Sequence, residues 1–578
     1  MLATIEWCGC YNHLMDLRAA IAPLIKGDAL DDVGTLRKFS RDTSIFERIP
    51  ALVVSPKDAD DVAALVRFVA EQKKIPSAKL GASGKNISLT ARAAGTDMSG
   101  GPLTDSIVVS FTKYMNAMRE VGGDPDAAVG TGYAIAEPGI YYRDFEKLTL
   151  AKNGSILPPY PASREMCALG GMLADNAGGE LTLRYGKMDR YVQELDVVLS
   201  DGSRATFRAL SAGELEKKKV EQTLEGEIYR RMEELLKNNR DVIEAARPNV
   251  TKNSAGYALW NVVDQTRGTF DLTKLIVGSQ GTLGLITQAR LSLVKTKPHH
   301  AMLVIFLSDL GKLPEIVRRV RTFDPESFES YDDHTFKLAA HYGYEFLKHL
   351  GFRQAFALAV ALVPEVWALW TRTVPQLVLL AEFAEDTDEE AQGKAHKAQA
   401  ALADLSVRTQ FALGTMEKKY WKIRRESFAL LRKHVHGLHA APFIDDIVVH
   451  PDDYPRFLPE LNALLSQYDL MHTIAGHIGD ANFHIIPLVD LANPAHRKAI
   501  MELTPKIYEL VAKYKGSITG EHGDGIMRTP FLPMMFSPKI LELFAETKRI
   551  FDPLGIFNPG KKVGGTIADI KRWMVHPA

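Results

Sequence analysis

Three histidines, a glutamate and two aspartates stand among glycines in two short stretches, His477-Ile-Gly-Asp480-Ala-Asn482-Phe-His484 and Gly520-Glu521-His522-Gly-Asp524-Gly525. Imidazole and carboxylate donors together suit a divalent ion such as zinc, manganese or iron. Three firm protein ligands would leave a coordination position for a substrate oxygen. A lone histidine is more often a hydrogen-bonded core residue, but this group is punctuated by glycine on both sides and reads as a site. His299, His300, His434, His436 and His439 lack that context and read as structural or exposed.

A second kind of chemistry is written in loops of small residues. Residues 92–101 read Arg-Ala-Ala-Gly-Thr-Asp-Met-Ser-Gly-Gly. Small side chains there let backbone N–H groups approach a diphosphate. The spacing is not G-x-G-x-x-G before a helix, which disfavours a Rossmann site. Two further loops follow, one through Gly170, Gly171, Asn176, Gly178 and Gly179, the other from Gly278 through Gln280 to Ile286.

These loops must be carried by regular elements. Residues 51–55 are β-rich, and Asp58, Asp60 and Asp61 favour a helix start, with Val62, Leu65, Val66 and Val69 as its apolar stripe. Residues 1–45 read as helical, then irregular, and residues 211–246 as solvated helices. From about residue 297 strands and helices alternate, which predicts a second α+β domain with a helix-covered sheet.

In this order the three loops resemble the flavin-binding domain of the vanillyl-alcohol oxidase/p-cresol methylhydroxylase (PCMH) superfamily. The C-terminal half resembles the cap domain of its D-2-hydroxy-acid dehydrogenase branch, which includes D-lactate, glycolate and D-2-hydroxyglutarate enzymes. The resemblance covers roughly residues 45–565. It implies an α+β fold, with a PCMH-type FAD-binding domain and an α+β cap whose antiparallel sheet is covered by helices. The implied organisation is a helical segment at 1–45, the FAD domain at 46–296, the cap with the metal site at 297–545, and a return to the FAD domain at 546–578.

The resemblance also assigns residues. Arg92, Ala93, Ala94, Gly95 and Thr96 would wrap the FAD diphosphate. Gly170, Gly171, Asn176, Gly178 and Gly179 would pack the second side of the cofactor. Ile286 and Asn558 would contact it near its adenine and isoalloxazine portions. No histidine flanks the first loop, so FAD is expected to be noncovalent. His477, His484 and Glu521 would hold the metal, zinc first and manganese or iron as alternatives. His522 would be the base, with Asp480 orienting a ligand from outside and Asn482 reaching the substrate. Arg424, in Trp421-Lys-Ile-Arg424, would clamp the substrate carboxylate through two parallel hydrogen bonds. Lys252-Asn253-Ser-Ala-Gly256-Tyr257 resembles a family segment near the flavin and reads equally as a packing turn.

The implied reaction is FAD-dependent, metal-assisted oxidation of a D-2-hydroxy acid to the 2-oxo acid. A metal on the hydroxyl lowers its pKa and a histidine takes the proton. Two departures from the family pattern are the first loop, Arg-Ala-Ala-Gly-Thr where three glycines are usual, and Gln280 where glutamate is frequent. Phe428 and Ile444 stand where diacid enzymes place polar groups, which disfavours the five-carbon diacid and points to a smaller or more apolar, D-lactate-like acid, with D-2-hydroxyglutarate or glycolate as the alternative substrate. A noncatalytic flavin electron-transfer subunit is the reading of a different class, and the intact histidine and glutamate set argues against it.

Composition sets the outer bounds. The chain has 578 residues, enough for two or three domains, with 46% hydrophobic and 24% charged residues. Net charge is −1, which leaves no electrostatic footprint for nucleic acid. Cys8, Cys10 and Cys167 cannot ligate a four-cysteine cluster, so electrons are expected to leave to a separate iron–sulfur protein, electron-transfer flavoprotein or quinone. Few cysteines and no secretory pattern at the start fit a cytoplasmic protein. The apolar run 356–370 reads as a buried core segment, with contact at the inner face of a membrane or with a partner subunit as the alternative. The sequence sets no oligomeric state.

Overall fold

Asp58 accepts hydrogen bonds at 3.0 Å from the backbone N–H groups of Asp60 and Asp61, and so starts the helix Ala59–Lys74. Val62, Leu65, Val66 and Val69 on one face of this helix are fully buried. The computed structural model describes residues 16–74, 87–123, 132–333, 374–434 and 438–575, and of 426–434 it describes the backbone. The helix lies on a four-stranded sheet in the order Asp28–Leu30, Leu52–Ser55, Ile107–Ser110, Leu89–Arg92. The last three strands are parallel and the first is antiparallel. The strand Asp28–Leu30 lies in a region the sequence presents as helical and irregular.

A second sheet is antiparallel. Its order is Met118–Gly122, Gly132–Ala136, Leu285–Lys295, Val192–Val198, Arg204–Arg208, with Ser155–Ile156 beside Leu285–Lys295. Leu285–Lys295 alternates buried and half-buried positions, as a strand with one face on the core must. The helix Leu224–Asn238 is not simply solvated, because it buries Ile228, Tyr229 and Met232 in this core.

The cap sheet is antiparallel throughout. It runs Arg408–Ala412, His299–Leu307, Leu377–Glu385, Ser327–Asp332, His472–His477, Asn482–Val489, His439–Ala440, with Ile447–Val448 also on Asn482–Val489. Period-two alternation divides its core cleanly. Ala301, Leu303, Ile305 and Leu307 join one apolar cluster with Ala391, Ala395 and Ala398 of the helix Asp388–Ala400. Met302, Val304 and Phe306 join the opposite one with Tyr420, Trp421 and Ile423 of the helix Thr415–His434. Helices therefore cover both faces, and the α+β class read from the sequence is the observed one.

The chain then returns to the first half. Ile540, Leu543, Phe544, Ile550 and Phe551 of the helix Pro538–Phe551 join the core of the second sheet. Phe557 bridges Leu89 in the four-stranded sheet, and Asn558 donates its backbone N–H to the Leu89 carbonyl at 2.8 Å. The run 356–370 lies outside the described residues. No helix among the described residues is long and apolar enough to cross a membrane.

Candidate active site

The hairpin His472–His477 and Asn482–Val489 turns through Ile478–Asp480 and Ala481, which takes the left-handed conformation at φ 56°. His477 stands opposite Asn482, and Asn482 and His484 are two residues apart, so all three share one sheet face. The next strand, Ser327–Asp332, pairs Ser330 with Gly476, which sets Glu329 beside His477. Glu521 and His522 arrive on a segment whose backbone is drawn onto Asp446. The Asp446 carboxylate accepts the N–H groups of Glu521 and His522 at 2.9 and 2.8 Å, the Thr519 hydroxyl at 2.7 Å and the Asn482 amide at 3.0 Å.

The cluster converges on one oxygen. Glu521 Oε1 lies 3.3 Å from His477 Nε2, 3.5 Å from His484 Nε2 and 3.9 Å from His522 Nε2. The His484 and His522 rings stack at 5.3 Å, and the His477 and His484 rings meet edge to face at 5.1 Å. The outer nitrogens have carboxylate partners. His477 Nδ1 is 2.6 Å from Glu329 Oε1, His484 Nδ1 is 3.0 Å from Asp445 Oδ1, and His522 Nδ1 is 3.3 Å from Asp445 Oδ2.

With the Nδ1 protons of His477 and His484 directed to carboxylates, their Nε2 lone pairs would face an anionic oxygen. Either a second proton or a cation must lie between them. Burial disfavours a charged His484, but Asp445 and Glu521 outweigh it and push its pKa up to about 10. Burial likewise opposes ionised Glu521, yet Lys252 and His477 hold it well below the usual range. This donor set, with carboxylates behind the imidazoles, has the ligand types that could hold a divalent ion. Asp446, His484, Glu521 and His522 also offer donor atoms within 4.8 Å of one another. The hydrogen bonds Asp446 already accepts make it the brace of the turn rather than a ligand.

Several expected roles change. Asp480 does not orient a histidine; its carboxylate lies 3.5 Å from Lys252 Nζ, and Glu329 and Asp445 do the orienting. Asn482 is fully buried, with its amide committed to Asp446 and its oxygen 3.4 Å from Lys252 Nζ. It braces the cluster instead of reaching out to a substrate. Arg424 does come to the site. Its guanidinium pairs with Glu329 Oε2 at 3.0 Å, one residue removed from His477. Ile444 is fully buried in the apolar core of the cap, so its identity says nothing about a substrate carboxylate. The Phe428 side chain lies outside the described residues. His300, read as structural or exposed, sits 3.6 Å from Glu382, which pushes its pKa up to about 9.

The flavin loops meet beside this cluster. Ala93, Ala94, Gly95, Thr96, Gly170, Gly171, Asn176, Gly278, Gly281 and Ile286 are all half-buried. A Cβ on Gly171 would have Ala93 Cβ as its nearest neighbour at 3.7 Å, and one on Gly281 would have Ala91 Cβ at 3.4 Å. Only small residues therefore stand where the three loops approach one another, which suits a backbone cradle for a diphosphate. The buried Asn558 amide ties the loops together by donating to the carbonyls of Gly101 at 3.0 Å and Gln280 at 2.7 Å. The Arg92 guanidinium is directed away, donating to the Arg41 carbonyl at 2.7 Å and lying over Phe39, so any wrapping of a diphosphate falls to the loop backbone. Gln280 donates to Asp175 at 3.0 Å, which a glutamate there could not do unless protonated.

Gly178 joins the two sites. A Cβ there would lie 2.7 Å from Glu521 Oε2, so only glycine lets the second flavin loop pass this close to the cluster. The partners Glu329, Asp445, Asp446 and Lys252 were not assigned from sequence. The adjacent pair Asp445-Asp446 at the mouth of a strand was the one available signal. Glu329 lies in a strand buried at every position, where a glutamate gives no periodic cue.

Two protein families match parts of the chain. The FAD binding domain family matches residues 50–208, and the C-terminal domain of FAD linked oxidases matches residues 296–562. D-2-hydroxyglutarate dehydrogenase of Pseudomonas putida is 26% identical over 546 residues, covering 93% of this chain and 50% of that protein. The chain therefore spans about half the length of the first curated relatives it matches. D-lactate dehydrogenase of Archaeoglobus fulgidus is 27% identical, over 89% of this chain and 91% of that one. Among solved structures, 4-ethylphenol oxidase from Gulosibacter chungangensis superposes with a TM-score of 0.65 at 15% identity, covering 95% of this chain and 97% of that chain.

Proposed function

We propose that this chain, which belongs to the FAD-linked oxidases with an FAD binding domain and an FAD-oxidase C-terminal domain, oxidises a short D-2-hydroxy acid to the 2-oxo acid. The observation that carries this reading is Glu521, whose carboxylate faces three imidazoles on one side and the flavin loop at Gly178 on the other. A substrate carbon beside the flavin loops would then have its hydroxyl beside the cluster.

When bound, FAD would supply the hydride acceptor at its N5, and a divalent cation, zinc first, would acidify the substrate hydroxyl. His477, His484 and Glu521 are the residues that would hold the cation. His522 would take the hydroxyl proton at Nε2 while Asp445 holds its Nδ1 side. Arg424 would receive the substrate carboxylate, exchanging part of its pairing with Glu329. The substrate loses one proton and one hydride, which leaves the 2-oxo acid. The two electrons would then pass from the reduced flavin to an acceptor such as an iron–sulfur protein, an electron-transfer flavoprotein or a quinone.

The choice of a single-carboxylate acid rests on the cations around the cluster. Lys252 pairs with Glu521, Lys187 donates to the Ser254 hydroxyl and the Gly520 carbonyl, and Arg424 pairs with Glu329. With Arg424 taken by the first carboxylate, a second would find Lys252 and Lys187 engaged in buried pairings, and burying it without a partner is strongly disfavoured. Anaerobic mixing with D-lactate, L-lactate, glycolate, D-2-hydroxyglutarate and L-2-hydroxyglutarate tests the reading. D-lactate should bleach the flavin fastest, and acid should release FAD intact. Preference for an L-acid would overturn the stereochemistry, preference for D-2-hydroxyglutarate the single-carboxylate argument, and flavin retained by the denatured chain the noncovalent one.

Arg424→Lys should lower kcat/KM for the D-2-hydroxy acid about tenfold or more while FAD content is unchanged. Lysine keeps the charge but loses the two parallel hydrogen bonds. The effect should appear mainly in KM, measured by steady-state kinetics with an artificial acceptor. An unchanged KM would assign the carboxylate to another cation.

A further inference from the structure

Glu521 turns its two oxygens toward different neighbours. Oε1 faces the three histidine Nε2 atoms, whereas Oε2 accepts a hydrogen bond from Lys252 Nζ at 3.0 Å and lies against Gly178. Lys252 is on a stretch without regular secondary structure that threads between the second flavin loop and residues 517–524. Ser254 fixes this stretch, its N–H donating to the Thr519 carbonyl at 2.9 Å and its hydroxyl to the Asp175 carbonyl at 2.9 Å. Gly256 N–H donates to Asp524 at 2.9 Å. The Lys252 side chain is fully enclosed, and its ammonium also meets Asp480 Oδ2 at 3.5 Å and Asn482 Oδ1 at 3.4 Å. It cannot swing away without leaving buried acceptors unpaired.

We infer that Lys252 is a positioning residue that restricts Glu521 to one ligating oxygen, an inference that rests on the metal reading of the same cluster. An ammonium on Oε2 occupies the lone pairs a chelating carboxylate would use. A cation held by two imidazoles and Oε1 alone keeps a position for the substrate hydroxyl. A chelating Glu521 would fill that position. The lysine charge also repels a nearby dication, so Lys252 weakens metal binding while it preserves the open position. A residue that only supported the local fold would strengthen both metal binding and turnover, and its removal would lower both together.

The opposed signs give the test. FAD-loaded wild-type protein and Lys252→Met are stripped with chelator and titrated with Co(II), whose visible absorption weakens as coordination number rises. Lys252→Met should bind Co(II) at least as tightly as wild type, with a weaker band, while kcat/KM falls about 10–100-fold, the range for partners that orient metal ligands. Lys252→Arg, which keeps the charge and the donor, should retain the wild-type band. Loss of Co(II) affinity in step with turnover, or turnover that survives, would overturn the role of Lys252. An unchanged band in Lys252→Met would overturn it as well. Wild-type protein that binds no Co(II) would instead overturn the metal reading, and this inference with it. Should Lys252→Met fail to accumulate as a folded flavoprotein, X-ray absorption of zinc-loaded wild type decides. A single carboxylate oxygen at zinc is expected, and a chelating carboxylate overturns the inference.

Discussion

His522→Ala is expected to keep its FAD and metal while flavin reduction slows about 10²–10⁴-fold, the usual cost of losing a general base. The residue stands beside the proposed ligands, with Nε2 3.9 Å from Glu521 Oε1 and Nδ1 backed by Asp445. The pH profile adds a second signature. Burial lowers the pKa of this imidazole, but Asp446 and Asp445 outweigh it and raise the value above that of an ordinary histidine. Only the unprotonated form accepts a proton, so the wild-type rate should climb with pH and level off once His522 is neutral. The variant should lose that limb. Stopped-flow reduction across pH measures both, and a variant that keeps the limb would transfer the base role to another group.

His484→Ala should lose the bound divalent ion and bring turnover down to the level of chelator-treated wild type, with FAD content unchanged. His484 Nε2 is one of the three nitrogens on Glu521 Oε1, while the residues expected to hold the flavin lie on other loops. In the metal-free protein His484 holds its proton up to about pH 10, because Asp445 and Glu521 outweigh burial. Metal must displace that proton, so affinity should fall as pH is lowered. Metal analysis, flavin absorbance and turnover on one preparation check this together. Full turnover after exhaustive chelation would remove the cation from the reaction.

The sequence by itself determined the parts that are local. Small residues in three ordered loops set the cofactor class, because a backbone cradle needs only missing side chains. Asp58 predicted a helix start because capping acts within one turn. Tertiary structure alone decided the partners. Glu329 reaches His477 from 148 residues away and Lys252 reaches Glu521 from 269 residues away. No periodicity links such pairs, since strand order and a threaded irregular segment bring them together. The same distinction explains the revised roles. Asp480 and Asn482 lie in the motif, yet the fold commits them to Lys252 and Asp446. Ile444 stands where diacid enzymes place a polar group, yet the bend between two short strands packs it into the core. Residue type and spacing specified which chemistry is present, and packing specified which atom faces which, because a buried polar group is directed by whatever partner the fold supplies.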